Sequence, residues 1–500
     1  MTREMLMRSS ARPRTPKLRF AVILAGAGLL AGCVVGPDYE KPNLLIPASW
    51  NGKKEKAPAK PPELSEWWKQ LHDPVLDQLI VEAVDGNLDV ATSKAKIREA
   101  RAVTREQLGV LLPTLSSSPS AERIRTAASG TSDASSYSQF QAGFDASWEL
   151  DLFGGNKRAL EAARNSEQAA NDDLRDTLLT LVGDVASYYV EAREYQALIK
   201  LAERSAKSQR QTAALTKSQV SAGEATGVDA AKADALAAST EADIPTYRIS
   251  YAQSVHRLGV LLGKSPDALE ARLAKGSGIP MPKVAVSPGI PADILLARPD
   301  VRAAERRLAQ YTARVGQAEA NRYPSISLTG SIATSATSIG DLAKKSTIGW
   351  SFGPTVSVPI FQGGQLKAAV DVAKAQRDQY SIAYQSSVLS AMEDVENAIV
   401  SLNQTRLRHE KISVSVAGYR EAAKLSRVLN ETGATAFLNV LDSERSLYTA
   451  EESLIESRTA IATYYVALNK ALGGGWDGAI DVSKPVVVDT NEAPHIVAAK

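Results

Sequence analysis

Two spacings of apolar residues alternate along the chain, and each predicts a different element. From Leu174 the apolar positions Leu178, Leu181, Val185, Tyr188, Ala192, Tyr195, Ile199, Ala202 and Ala206 follow at steps of four and three. That step is the seam of a packed long helix. Val388, Met392, Val395, Ile399 and Leu402 repeat it in the second half of the chain. Proline is absent from 120 to 244 and from 360 to 484, as uninterrupted helices require, and Pro245 predicts a kink or a local break. The helix from 156 to about 222 would be about 100 Å long at 1.5 Å per residue. The second spacing is strict alternation. Phe140, Ala142, Phe144, Ala146, Trp148, Leu150 and Leu152 share one parity, while Gln141, Asp145, Ser147, Glu149 and Asp151 share the other. Ile326, Leu328 and Ile332 alternate with Ser325, Ser327, Thr329 and Ser331, and Trp350, Phe352, Val356, Val358 and Ile360 continue the pattern. The partner strand around Leu115 to Thr126 alternates poorly.

These segments recur. "NLDVATSKAKIREARAV" from Asn87 aligns with "RPDVRAAERRLAQYTAR" from Arg298, and the same offset brings Pro113 onto Pro324. "LFGGNKRA" from Leu152 matches "IFQGGQLKA" from Ile360, with Gln362 inserted. Gly223 and the "LGVLLG" ending at Gly263 match Gly433 and the "LNKALG" ending at Gly473. Four matches in one order, about 210 residues apart, identify an internal duplication. The predicted fold is mainly α with a small β part: long antiparallel helices and two β-hairpins, four strands in all. The first repeat spans 65–264, with a helical stretch at 74–111, a hairpin at 113–152 and a long helix pair at 156–264. A linker covers 265–297, and the second repeat spans 298–473, with a hairpin at 324–361 and a helix pair at 364–473.

An alternating strand could equally cover an ordinary soluble core, so the start of the chain matters. Arg8, Arg12, Arg14, Lys17 and Arg19 precede an apolar run from Phe20 to Ala31 that is too short to span a bilayer and reads as an export signal, 1–32. The single cysteine ends "LAGC", which resembles a lipobox, so Cys33 is expected to be the acylated first residue of the mature chain, with Val34 directing it to the outer membrane. Residues 33–64 read as an anchored linker and 474–500 as a polar tail. Strands of 10 to 14 residues suit an outer-membrane crossing. Four strands cannot close a barrel with a polar interior, so several chains must share one.

Composition narrows the function. A formal charge of +2 with 23% charged residues gives no electrostatic case for nucleic acid. His72, His256, His409 and His495 stand singly, without metal-ligand spacing, and no nucleophile elbow or phosphate-binding lysine loop occurs. Neither enzymatic activity nor a cofactor is expected. Two methionines after the signal, Met281 and Met392, argue against a path for copper or silver.

"SEWWKQLHDPVLDQLIVEAVDGNLDV", "ARPDVRAAERRL", "VPIFQGGQL", "FLNVLDSERSLYTAEESL" and the "GPDYEKP" after Cys33 resemble the outer-membrane efflux factors of the TolC superfamily, in particular the NodT and OprM lipoprotein branch. The resemblance covers about residues 33 to 476. It implies a homotrimer with a 12-stranded transmembrane barrel continuing into a periplasmic helical barrel, and it implies as partners a periplasmic membrane-fusion adaptor and an inner-membrane resistance-nodulation-division pump. It also implies a gate at the helix-pair tips near 221–229 and 431–442. On the family's motif Asp229 matches a gate-holding aspartate, and Asn439 and Asp442 match two constriction aspartates, of which only Asp442 keeps its charge. Thr435 and Asn430 replace the arginine and tyrosine that complete the gate bonds. Read without the family, Asp229 caps a helix and Asp442 lies on a solvated face. Two other functions fit the pattern less fully: a channel for polypeptides working with an ABC transporter, and a lipid-tethered periplasmic coiled coil.

Overall fold

The computed structural model describes residues 34–43, 64–128, 133–282 and 292–487; the export signal, Cys33 and the linker prolines at 58–62 lie outside them. Its helices are α1 (Pro74–Gly86), α2 (Leu88–Val110), α3 (Gly155–Ala222), α4 (Gly227–Leu261), the single turn α5 (Glu270–Leu273), α6 (Pro299–Ala320), α7 (Gln365–Glu431) and α8 (Phe437–Ala471). Its strands are β1 (Thr114–Ser116), β2 (Ser120–Thr126), β3 (Ser135–Leu150), β4 (Ser325–Ala336) and β5 (Ile348–Ser357). The described residues form two compact units, one within Met1–Lys41, Arg101–Ser166 and Arg307–Tyr380, the other within Pro42–Ala100, Glu167–Arg306 and Ser381–Lys500. Each unit takes pieces of both halves of the sequence, so neither repeat is a compact body by itself.

The helical unit is built on the predicted seam. Leu174, Leu178, Leu181, Val185 and Ala192 are buried and pack with Trp67, Trp68, Leu76, Leu258, Tyr465 and Val466 into one core. Trp67 meets Trp68 and Tyr465 edge-on, both at 6.0 Å, and Trp68 stacks on Trp476 at 6.2 Å. A polar network runs through this core. Asp73 caps α1 through the Val75 amide and accepts the Tyr189 hydroxyl at 2.7 Å; Arg193 donates to that hydroxyl at 2.9 Å and to the Lys275 carbonyl at 3.0 Å. The Asp73 carboxylate and the Tyr189 hydroxyl are thus partnered, as burial demands, while the buried Arg193 Nε makes no hydrogen bond among the described residues.

The duplication is visible as a repeated bond. Asn87 caps α2 by accepting the Asp89 and Val90 amides, and its own amide donates to the Leu261 carbonyl at the end of α4 (2.8 Å). Arg298, its counterpart, donates to the Ala471 carbonyl at the end of α8 (2.8 Å) and is held by Asp300 and Asp394. Different side chains thus close the same helix end in the two halves. The tip turns are alike as well: Gly223 and Gly433, with φ of +80° and +72°, end α3 and α7 in the left-handed conformation, and the next amides close back on Gln219 and Leu429.

Four sequence expectations change. The helical stretch at 74–111 is two helices, because Asn87 stops α1 and starts α2. Pro245 lies inside a continuous α4, so of the expected kink or local break the break does not occur. The first hairpin's outer strand is interrupted between Ser116 and Ser120: Pro119 offers no amide, and the Ser117 hydroxyl instead donates to the Gly143 carbonyl (2.8 Å). The segment after α8 is not wholly a free tail, since Trp476, Ile480 and Val482 pack against the helical core and Arg98 donates to the Val482 and Lys484 carbonyls.

Two predictions follow from this packing. Asn87→Ala removes a cap and a tertiary hydrogen bond together, and thermal unfolding should record a loss of about 1–3 kcal/mol. An unchanged melting curve would show that Asn87 does not hold α4. The second concerns Glu194 on α3, whose carboxyl is pushed up to about 7 by burial and then by Glu456 and Glu191, against the lowering effect of Thr459. A carboxyl that binds its proton more tightly folded than unfolded costs stability as pH rises from about 4.5 to about 7. Glu194→Gln should therefore flatten the decline in melting temperature between pH 5 and pH 8; an unaltered slope would assign that decline to other groups.

Candidate channel wall and helix-tip site

The wall begins with one antiparallel sheet in the unit that contains residues 101–166 and 307–380. Its order is β1 and β2, then β3, β4 and β5. Register places Phe144, Ile332 and Trp350 in one row, Ala146, Gly330 and Phe352 in the next, and Leu150, Ile326 and Val356 in another, all on one face. That face has no cover among the described residues: Trp350 is 77%, Phe352 70%, Val356 56% and Phe144 55% exposed. Large apolar side chains left bare in contiguous rows mark a surface meant for something other than water. From Phe140 to Leu150 the band is about 33 Å along the strand, or about 25 Å in height at a 40° tilt, which is the height of the apolar band of an outer-membrane barrel.

The opposite face is polar. Ser116, Asp145, Ser331 and Ser351 form one row, and Glu149, Ser327 and Thr355 another. The Ser331 and Ser351 hydroxyls are hydrogen-bonded at 2.9 Å. Short hydroxyl side chains with occasional carboxylates suit a water-filled lumen. Both outer edges of the sheet, β1 with β2 on one side and β5 on the other, lack a neighbouring strand among the described residues.

The helix tips carry the other candidates. Asp229 forms a capping box with Thr226: its carboxylate accepts the Thr226 amide (3.1 Å) and hydroxyl (2.7 Å), and its amide donates to that hydroxyl (3.3 Å). These bonds, from the hydroxyl first, hold the Asp229 carboxyl below its usual range. Across the duplication, Asn439 donates to the Thr435 hydroxyl at 2.8 Å and Asn430 to the Thr435 carbonyl at 3.2 Å, so these three residues lock the α7–α8 turn together. Asp442 is exposed and paired with Arg445 at 2.8 Å. The two turns are joined by apolar contact, with Ala213, Ala233 and Leu236 packing on Phe437, Val440 and Leu441. Asp229 and Asp442 share no hydrogen bond, and Cys33 lies outside the described residues.

Sequence reading missed the carboxylate that matters most to local packing. Glu444, two residues after Asp442, is buried and accepts Arg427 (2.8 Å) and the Thr212 hydroxyl (3.0 Å), while Arg427 also donates to Ser208 (2.7 Å). Its signal was its place four residues after buried Val440, on the apolar side of α8. A pair of tyrosine bonds was also missed: Tyr448 donates to Asp243 (2.9 Å), and Tyr247, four residues on from Asp243, to Glu452. They fasten α4 to α8.

No helix among the described residues is long and apolar enough to cross a membrane, and none of the described residues gathers three metal-ligating side chains. Comparison with known proteins agrees with a strand-built crossing. The family model "Outer membrane efflux protein" matches twice, over residues 79–264 and 290–474. Nodulation protein T of Rhizobium leguminosarum bv. trifolii is 36% identical over 465 residues, 90% of this chain and 96% of that protein. The solvent efflux pump outer membrane protein SrpC of Pseudomonas putida is 32% identical over 459 residues, again 90% and 96%. The solved outer-membrane channel OprN superposes with a TM-score of 0.83 at 32% identity, covering 89% of this chain and all of that one.

The register itself generates a test. Phe352→Arg sets a charge on the bare apolar face and should cost about 2–4 kcal/mol of insertion near mid-membrane, reducing the membrane-embedded fraction. Ser351→Arg, one residue away on the polar face, should insert normally and alter conductance. Equal insertion of both variants would contradict the assignment of faces.

Proposed function

The chain belongs to the outer membrane efflux protein family, and on that premise we propose that three copies join edge to edge into one 12-stranded barrel. The protein is an outer-membrane channel of an efflux system. The observation that carries a barrel shared between copies is the sheet: four strands wide and, among the described residues, bare on its apolar face and open at both edges. In hydrocarbon an open edge leaves backbone groups unpaired at several kcal/mol each, and a second copy's edge is the complement already encoded in the chain.

The channel is a passive duct. A periplasmic adaptor and an inner-membrane resistance-nodulation-division pump deliver small molecules to it, and the pump supplies the energy. Acyl chains on Cys33 hold each copy at the membrane. Asp229, Asn439 and Asp442 lie at the closed periplasmic end, with Asp229 holding its own turn rather than bridging to a neighbour. Asp442, exposed in each of three copies, places three carboxylates around the entrance and favours cations there.

The test is electrical. Asp442→Ala should weaken block by divalent cations in planar bilayers several-fold while leaving the salt dependence of unblocked conductance in place. Unchanged block would remove Asp442 from the constriction.

A further inference from the structure

The stretch "VVGPDYEK" directly after Cys33 is built into the sheet-bearing unit, although the sequence reads it as the start of a linker. The Val35 amide donates to the Phe153 carbonyl at 3.1 Å. Arg158, with only 5% of its side chain exposed, reaches back and donates to the Val35 carbonyl (3.3 Å), the Gly36 carbonyl (3.4 Å) and the Asp38 carboxylate (2.7 Å), and Glu161 holds its other arm (2.8 Å). Beneath the guanidinium two glycines cross. Gly36 has φ of +87°, and a Cβ there would lie 2.3 Å from the Gly316 Cα of α6; a Cβ on Gly316 would lie 2.8 Å from the Arg158 Nε. At Gly36 backbone therefore meets backbone, which requires glycine there, while the bare Gly316 makes room for the Arg158 side chain. Val34 closes the contact against Gly154, where a Cβ would lie 2.8 Å from its Cγ1.

We infer that Arg158, Gly36, Asp38 and Gly316 form a clasp that fixes the acylated N-terminus at the base of the strands, so that the lipid anchor registers the sheet in the membrane instead of tethering it loosely. The inference rests on the acylation of Cys33. Cys33 is one peptide unit, about 3.8 Å between Cα atoms, from Val34, so an acyl group on it starts within one residue of the Val34–Gly154 contact. Gly154 stands four residues after Leu150, the last residue of β3 and the lower limit of its apolar face. Acyl tails and apolar rows thus enter one leaflet at a fixed spacing. A short, stiff connection between two membrane-binding elements raises the effective concentration of the second, once the first is bound, further than a long loose leash does. Arg158 and Asp38 are positioning residues in this account, acting on the membrane through Cys33.

The test uses the full-length protein carrying a photoactivatable fatty acyl chain on Cys33, in vesicles of outer-membrane phospholipid. Crosslinks should concentrate on peptides around 111–116, 148–154 and 323–328. In Arg158→Gln, and in Asp38→Asn where the carboxylate is otherwise solvent-facing and folding is at least risk, adducts at these peptides should fall about tenfold, with the mass of the acylated N-terminal peptide unchanged. The Val35 amide should lose its hydrogen-exchange protection in the same variants while amides of α4 and α8 keep theirs. Wild-type adducts scattered along the protein, or an adduct pattern and Val35 protection unaltered in both variants, would overturn the clasp. An N-terminal peptide without acyl mass, beside a protected Val35 amide, would overturn the acylation reading and with it the anchoring role, and the peptide mass tells that failure apart from a failed clasp.

Discussion

The structure depends on what becomes of unpaired backbone at a strand edge in hydrocarbon. Water satisfies such an edge at no great cost, and lipid does not. A sheet whose apolar side chains point outward and whose two outer strands stand open is stable only where a neighbour supplies the missing partners. Everything else in the chain serves that arrangement. The polar parity of β3, β4 and β5 becomes usable as a water-filled lining once the edges are closed. The long helices are held by a core of their own, so the sheet is free to leave its apolar face uncovered.

The duplication explains how one chain supplies two hairpins of like design without being a strict copy of itself. The same closing bond at the end of the second long helix is made by Asn87 in one half and Arg298 in the other. At the tips, Asp229 is absorbed in its own capping box, while the opposing turn is locked by Thr435 with Asn430 and Asn439. Through this divergence the shared geometry, a left-handed glycine after each long helix, stays in place.

Much of the fold was legible because periodicity reports directly on which faces are buried. The seam from Leu174 to Ala206 and the alternation from Phe140 to Leu150 both fix the element and its orientation, since a one-residue shift would swing the seam about 100° off its neighbours and turn every strand side chain to the opposite face. What escaped was local. The stop at Asn87 depends on a side chain reaching a distant carbonyl, Leu261, which no spacing announces. Pro245 lies within a continuous helix, so no break marks it. At the tip, attention to Asp442 passed over Glu444, whose buried carboxylate is held by Arg427 and Thr212 from two other helices. The clasp at Gly36 and Gly316 was invisible for the same reason: it joins residues some 280 positions apart through the absence of side chains.

The most direct measurement is an electron-microscopy reconstruction of the full-length protein in lipid nanodiscs. The account predicts three copies around one lumen, with the β5 edge of each hydrogen-bonded to the β1 and β2 edge of the next and Trp350 and Phe352 facing lipid. Single copies in which those side chains are turned inward against protein, with the β5 edge unpaired, would contradict it.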